Sequence, residues 1–295
     1  MNEFKSYHPI VNFLYFVIVI GFSMFFMHPL CIAVSFACGL VYSTILNGRR
    51  AVKTNLVYML PVLIITALIN PAFNHEGVTI LTYLPGGNPL TLESILYGLA
   101  AGFMLVSVIC WFSCYNEVMT SDKFIYLFGR IIPSLSLIFS MTLRLVPKFA
   151  TQLKIVTNAQ RCIGRDISSG SVIKRAKSGV AILSVMITWL LESSIETADS
   201  MKSRGYGLPG RTAYSIFSFS KRDALALTVI AFLGVYILFS GTVGGMYFRY
   251  FPAVETNAMS VYSLSVFASY FLLCIFPVGI EMWEAHKWNV LKSKI

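Results

Sequence analysis

Charge is scarce in this sequence. Only 12% of its 295 residues are charged, whereas about a quarter of an ordinary water-soluble domain is charged. A chain with so few charged side chains cannot cover a water-facing surface, and 56% of its residues are hydrophobic. Lipid must therefore be the solvent for much of the surface, and the composition predicts an all-α integral membrane protein.

Residues that would support catalysis, metal binding or disulfide pairing are few and scattered. The four histidines have no metal-site spacing, and five of the six cysteines lie inside apolar runs, where cysteine behaves as a small hydrophobic residue. We therefore expect no catalytic residue, no metal and no cofactor. The weak exception is an acidic stripe, Glu192, Glu196 and Asp199, which a solvated helix face explains better.

Six apolar segments are long enough, or nearly so, to cross a bilayer as helices, which takes about 20 residues. They are Val11–Met27, Leu30–Leu46, Leu56–Ile69, Ile95–Cys114, Ala224–Gly244 and Ser260–Ile280. Lys and Arg are plentiful in every second connection and sparse in the others, as the preference for cations on the cytoplasmic side requires. We therefore predict about six crossings of the plasma membrane, with both termini in the cytoplasm.

The basic residues are concentrated in one long connection. Fifteen of the 23 Lys and Arg lie between Asp122 and Asp223. Because this placement follows the predicted topology, the net charge of +10 indicates cytoplasmic orientation and not nucleic acid binding. Arg130 and Arg144 interrupt one of the apolar stretches within the connection, and a charge in mid-bilayer is costly. We expect interfacial helices here and no further crossings.

Three regions follow from this pattern. Membrane helices occupy residues 1–118 and 223–295, and the second range ends in a cytoplasmic tail. Residues 119–222 form a cytoplasmic or interfacial helical region between them.

Two helices within the long connection are predicted to end in basic turns closed by glycine. The first runs through "KFATQLKIVTNAQRCIG" and stops at Gly164. The second ends in "SMKSRGYG", where Gly205 suits the left-handed residue that closes many helices. Each end would present an arginine, which binds carboxylates through two parallel hydrogen bonds. The pattern alone allows two interpretations: docking into an acidic groove, or a cation that complements the helix end.

The sequence resembles the transmembrane T component of energy-coupling factor transporters, the CbiQ-like family. The resemblance rests on "HPIVNFLYF", on "NPAFNHEGVTILTYLPGGNPLTLESILYGL", and on "SMTLRLVPKFATQLKIVTNAQRCIGRD" before "ADSMKSRGYGLPGRTA". It implies a non-enzymatic scaffold that links two cytoplasmic ABC-type ATPases to a small membrane subunit that captures substrate. Nucleotide-driven closure of the ATPases would move the coupling helices and reorient the capture subunit. The family serves vitamins or transition-metal ions.

The resemblance also implies the site residues, through two short Ala-Arg-Gly-like motifs that dock on the ATPases. The second motif falls on Ser203, Arg204 and Gly205, with serine in place of alanine, and Tyr206 follows it. Arg204 is therefore the expected docking residue at this end.

The first motif departs from the family pattern. It falls on Cys162, Ile163 and Gly164, so that its expected arginine is missing. Arg161 or Arg165 would then supply the charge from an adjacent position. The departure implies either two different ATPases or one contact of altered geometry.

Two other functions stay open at this stage. A permease of a conventional ABC importer would need a single coupling loop and a polar path through its own spans. A membrane-embedded enzyme acting on lipid would need carboxylates or histidines that converge at the interface, for which the stripe at Glu192 is the one weak candidate.

Overall fold

The computed structural model describes residues 3–83, 87–129, 133–165, 167–168, 171–206, 208, 217–257 and 260–292, most of which are helical. The chain divides into two compact units. The main unit comprises Met1–Phe124 and Phe217–Ile295, and the inserted unit comprises Ile125–Ile216. The predicted region boundaries at residues 119 and 222 lie near these divisions and stay predictions.

A short 3₁₀ turn, Phe4–Ser6, precedes the helices. The helices are α1 (Pro9–Phe25), α2 (Pro29–Phe73), α3 (Leu92–Val118), α4 (Ser121–Gly129), α5 (Pro133–Cys162), α6 (Val172–Ser203), α7 (Lys221–Val243) and α8 (Val261–Lys292). Two antiparallel hairpins complete the fold: β1 (Ile80–Tyr83) with β2 (Pro89–Thr91), and β3 (Phe248–Arg249) with β4 (Glu255–Thr256).

All six predicted membrane segments fall on helices, and the all-α membrane class is confirmed. The second and third segments lie on either side of Gly48, whose φ of 65° and ψ of −162° interrupt the helical backbone of α2. Helices long and apolar enough to span a membrane are Pro29–Gly48, Leu92–Val118, Val172–Ser203, Lys221–Val243 and Val261–Lys292. Pro9–Phe25 and Met59–Phe73 are apolar but shorter.

Helix α6 is the unexpected member of this set. Its length and composition suit a crossing, although the sequence favoured an interfacial helix. The apolar run before Glu192 is short, but the helix itself continues for 32 residues. The interfacial position of α6 therefore stays a prediction, as does the number of crossings.

A buried hydrogen-bond network ties four helices of the main unit together. Ser35 of α2 lies at its centre, with its Oγ 2.6 Å from Ser23 Oγ of α1 and 2.7 Å from Ser107 Oγ of α3. The indole N–H of Trp111 donates to the same oxygen at 2.9 Å, and the Tyr270 hydroxyl of α8 lies 3.4 Å from Ser23 Oγ. All five side chains are at most 4% exposed. Such polar contacts join helices where lipid gives no hydrophobic drive between them.

The loop between α2 and α3 is folded around a buried carboxylate. Glu93 is 3% exposed and accepts hydrogen bonds from the Thr79 backbone N–H at 3.2 Å and from its hydroxyl at 2.8 Å. Gly77 lies against this carboxylate with φ at 144°, and a Cβ there would stand 2.6 Å from Glu93 Oε2. Only glycine fits this approach, which explains the "HEGVT" sequence.

Candidate coupling site

The inserted unit is organised around an antiparallel pair of helices, α5 and α6. Val156 of α5 packs against Ile182 and Met186 of α6, and all three are buried. Towards the other end of the pair, Lys148 Nζ donates to Ser193 Oγ at 3.2 Å and lies 5.4 Å from the centroid of the Trp189 ring. Sequence numbers rise along α5 as they fall along α6, so the two helices run in opposite directions.

The antiparallel arrangement places the two predicted motifs at opposite ends of the pair. The pairing of Lys148 with Ser193 sets Gly164 level with about residue 177 of α6. The C-terminal end of α6 lies at Ser203. At a rise of 1.5 Å per residue, the two helix ends are about 40 Å apart along α6. This separation was not predicted from the sequence.

The end of α5 is a Schellman motif. Gly164 has φ at 79°, and its N–H donates to the Arg161 carbonyl at 3.0 Å. The N–H of Arg165 donates to the Gln160 carbonyl at 3.0 Å. These two bonds define the motif and satisfy carbonyl groups that the helix leaves without an intrahelical partner.

The end of α6 repeats the same geometry. Gly205 has φ at 78°, its N–H donates to the Lys202 carbonyl at 3.0 Å, and the N–H of Tyr206 donates to the Met201 carbonyl at 3.0 Å. Because the same bonds form at both ends, each residue of one turn has a counterpart in the other. The pairs are Arg161 with Lys202, Cys162 with Ser203, Ile163 with Arg204, Gly164 with Gly205, and Arg165 with Tyr206.

This correspondence shows what is shared by the two ends and what differs. Two positions before the capping residue, both ends carry an exposed cation, which is Arg161 in α5 and Lys202 in α6. At the capping position the exposed guanidinium of Arg204 is matched by Ile163, an apolar side chain that is 68% exposed. Neither Arg161 nor Arg165 occupies the turn position of Arg204, although both are exposed.

The α6 end combines two exposed cations with the C-terminus of a helix. The last carbonyls of a helix carry partial negative charge, which Lys202 and Arg204 offset. Glu192, Glu196 and Asp199 are all exposed on the same helix. Among the described residues, no three His, Cys, Asp or Glu side chains are grouped to hold a metal.

A further feature of α6 is an exposed apolar stripe. Its members are spaced three or four residues apart, so they share one side of the helix. Each is at least 52% exposed: Val180, Leu183, Ile187, Leu191 and Ile195. The spacing of hydrophobic residues identifies this stripe in the sequence, and within the inserted unit its side chains are exposed.

Fold and site together define the class: a multi-pass α-helical membrane protein with an inserted helical pair whose two ends share one turn geometry. No family model matches the chain.

The chain is nevertheless similar to transmembrane proteins of energy-coupling factor transporters, and the resemblance stated from the sequence is confirmed. The EcfT of Lactobacillus helveticus (strain DPC 4571) is 36% identical over 110 residues, which are 37% of this chain and 40% of the relative. The EcfT of Staphylococcus aureus (strain 04-02981) is 28% identical over 210 residues, 64% of this chain and 77% of the relative.

These alignments differ in extent. The chain spans only about two fifths of the length of the relatives with higher identity, between 39% and 41%. The alignment with the EcfT of Bacillus selenitireducens (strain ATCC 700615 / DSM 15326 / MLS10) is 26% identical over 55% of this chain and 68% of the relative. The comparisons favour neither a conventional ABC permease nor a lipid-acting enzyme.

Proposed function

We propose that this chain is the transmembrane scaffold subunit of an energy-coupling factor transporter. It binds two cytoplasmic ABC-type ATPases and a small substrate-capturing membrane subunit, and it passes ATP-driven movement from the former to the latter without catalysing a reaction itself. The observation that carries this proposal is the pair of equivalent turns at opposite ends of the α5–α6 pair. Similarity to proteins named as transporter transmembrane proteins supports it.

The separation of the turns argues for two partner subunits. A distance of about 40 Å exceeds the diameter of a small domain, which is about 30 Å. One groove on one partner cannot receive both ends. Each turn is also rigid, because its carbonyls are already bonded within the motif. A rigid turn passes a movement of the bound partner to its helix more directly than a loop would.

The chemistry of the two contacts differs under this proposal. Arg204 enters a groove that carries a carboxylate, where a guanidinium forms two parallel hydrogen bonds. At the other end Ile163 fills an apolar site, and Arg161 or Arg165 pairs with an anionic group at the rim. The two grooves therefore differ, which fits two non-identical ATPases.

The apolar stripe of α6 suits the third partner. The side chains from Val180 to Ile195 form a face that water would not cover favourably. A membrane-embedded capture subunit offers the matching apolar surface. This arrangement requires the inserted unit to lie on the cytoplasmic side with both termini, as the distribution of Lys and Arg predicts.

The test is co-purification of the chain with its ATPases after Arg204→Ala. Removing one member of a buried charge pair costs about 2–5 kcal/mol, and we expect the affinity for one ATPase to fall about 30-fold or more. Lys154→Ala is the matched control, since it removes an exposed cation near the middle of the α5–α6 pair, away from both turns. Undiminished ATPase recovery and substrate uptake with Arg204→Ala would refute the proposed docking. Arg161→Ala and Arg165→Ala, made singly, identify the cation that serves the other end.

A further inference from the structure

The inserted unit joins the main unit at two places in the chain, after Phe124 and before Phe217. Both junctions contact one short segment, Glu3–His8, which we call the N-terminal segment. It lies far from each junction in sequence, so its contacts are tertiary. Charged and hydrogen-bonding groups make these contacts at each junction.

The first junction is held through Lys123. This side chain is 4% exposed, and its ammonium donates to the Lys5 backbone carbonyl. With the Asn12 amide oriented to suit its neighbours, Asn12 Oδ1 accepts from the same ammonium at 2.7 Å, and its Nδ2 donates to the Phe4 carbonyl at 3.1 Å. A buried ammonium needs all the partners it can reach. These bonds therefore fix Lys123 to the N-terminal segment.

The second junction is held first through the start of α7. The N–H of His8 donates to Asp223 Oδ1 at 3.0 Å. The other oxygen of Asp223 accepts from the Ser220 backbone N–H at 2.9 Å and from its hydroxyl at 2.6 Å. Asp223 thus caps α7 and binds the N-terminal segment at once.

Arg222 adds two contacts beside this carboxylate. Its guanidinium donates to Ser6 Oγ at 3.0 Å and lies 4.3 Å from the centroid of the Tyr7 ring. Three residues before Arg222, the Phe219 ring packs edge to face against the His8 ring, with 5.2 Å between the ring centroids. Three consecutive residues, Ser6 to His8, therefore contact the second junction, where the chain leaves the inserted unit and enters α7.

The N-terminal segment is itself anchored in the core. Phe4 is fully buried, with Tyr15 and Tyr42 among the rings around it at centroid distances of 5.3 and 6.3 Å. Its N–H donates to Glu281 Oε1 of α8 at 3.1 Å. Truncating a fully buried phenylalanine strongly destabilises a protein, so Phe4 is a firm anchor. The segment is thus attached to the main unit independently of either junction.

We infer that Glu3–His8 is a clamp that joins the two junctions, so that movement of the inserted unit reaches α3 and α7 together and is not absorbed in the connecting chain. The transport aspect of this inference rests on the proposed function. The clamp itself is a property of the main unit and can be tested without any partner.

Hydrogen exchange on the purified chain tests the clamp directly. Lys123→Met loosens the first junction, and we expect exchange at the second, in residues 217–224, to become about tenfold faster. Arg222→Gln loosens the second junction without altering a buried cation, and exchange in residues 119–124 should rise in return. The control is Lys221→Gln, which removes the neighbouring exposed cation of α7 and none of the contacts described above. Faster exchange confined to the mutated junction in both variants would overturn the inference.

The assembled transporter supplies a second readout. In Arg222→Gln we expect the ATPases to remain bound and hydrolysis to continue, while substrate taken up per ATP falls about tenfold. Unchanged uptake per ATP, with exchange raised at both junctions, would overturn the role in transmission. If no ATPase binds the unmodified chain, the proposed function fails, and the exchange experiment still decides whether the clamp exists.

Discussion

Replacing Ser35 by alanine removes one oxygen atom from the centre of the main unit. The directions of its hydrogen bonds can be assigned. Ser23 Oγ donates its single proton to the Val19 carbonyl at 2.8 Å, so Ser35 must donate to Ser23. Ser35 Oγ then accepts from the Trp111 indole and from the Ser107 hydroxyl. The substitution removes one donated and two accepted bonds, which join α2 to α1 and α3.

The expected cost follows from these three bonds. Hydrogen bonds between membrane helices average about 0.6 kcal/mol, which gives about 2 kcal/mol for the set. Trp111 is fully buried, and a buried donor left unpaired costs about 1–3 kcal/mol. We therefore expect Ser35→Ala to lower the free energy of unfolding by about 2–3 kcal/mol, measured in micelles by steric trapping or detergent titration.

Two further variants make the result specific. Thr44→Val lies on the same helix and removes a hydroxyl that bonds only to its own helix at the Val41 carbonyl, so we expect a change of at most about 0.5 kcal/mol. Trp111→Phe keeps a ring but removes the indole donor. Combined with Ser35→Ala it should cost about 1 kcal/mol less than the sum of the single variants. A near-neutral Ser35→Ala, or strict additivity with Trp111→Phe, would refute the assigned network.

Two more predictions concern the N-terminal segment and the helix ends. Burial lowers the pKa of His8 from 6.5, with Lys123 lowering it further and Asp223 opposing, and its Nδ1 accepts the Ile10 N–H at 3.3 Å. The unfolded chain then binds the proton more readily, so the thermal midpoint should fall as pH drops below about 6.5, and His8→Asn, which keeps a capping acceptor, should flatten that fall. Gly164→Ala and Gly205→Ala both place a side chain at positive φ, which costs about 1–2 kcal/mol. Only the second also meets a neighbour, with its Cβ 3.1 Å from a Leu208 methyl carbon, so amide exchange should rise more at the α6 end.

The membrane helices could be predicted because run length and hydrophobicity are local properties of the sequence. The separation of the second and third segments was predictable as well, because the basic connection between them contains Gly48, and its φ of 65° suits glycine. Helix α6 was predicted less well: the apolar run before Glu192 looked too short for a crossing, yet the helix Val172–Ser203 meets the criteria of length and composition for a span.

The helix ends were also predictable in part. Gly164 and Gly205 adopt the left-handed conformation expected of closing glycines, and this places both motifs at equivalent turn positions. The clamp was missed, because contacts of the N-terminal segment with Lys123, Arg222 and Asp223 span more than a hundred residues. The "HP" pair at His8 did carry a signal, as a capping residue followed by proline at the first helical position.

The difference between the two helix ends bears on how such a scaffold would distinguish its two ATPase partners. The backbone turns are the same, so geometry alone cannot tell one ATPase from the other. Discrimination must come from side chains, and the capping position supplies it, since Arg204 is charged and Ile163 is apolar. An acidic groove that receives Arg204 would leave its carboxylate unpaired against Ile163, and an apolar groove that receives Ile163 would strip water from Arg204. Both mismatches would be unfavourable, so under the proposed function each end would disfavour the wrong partner.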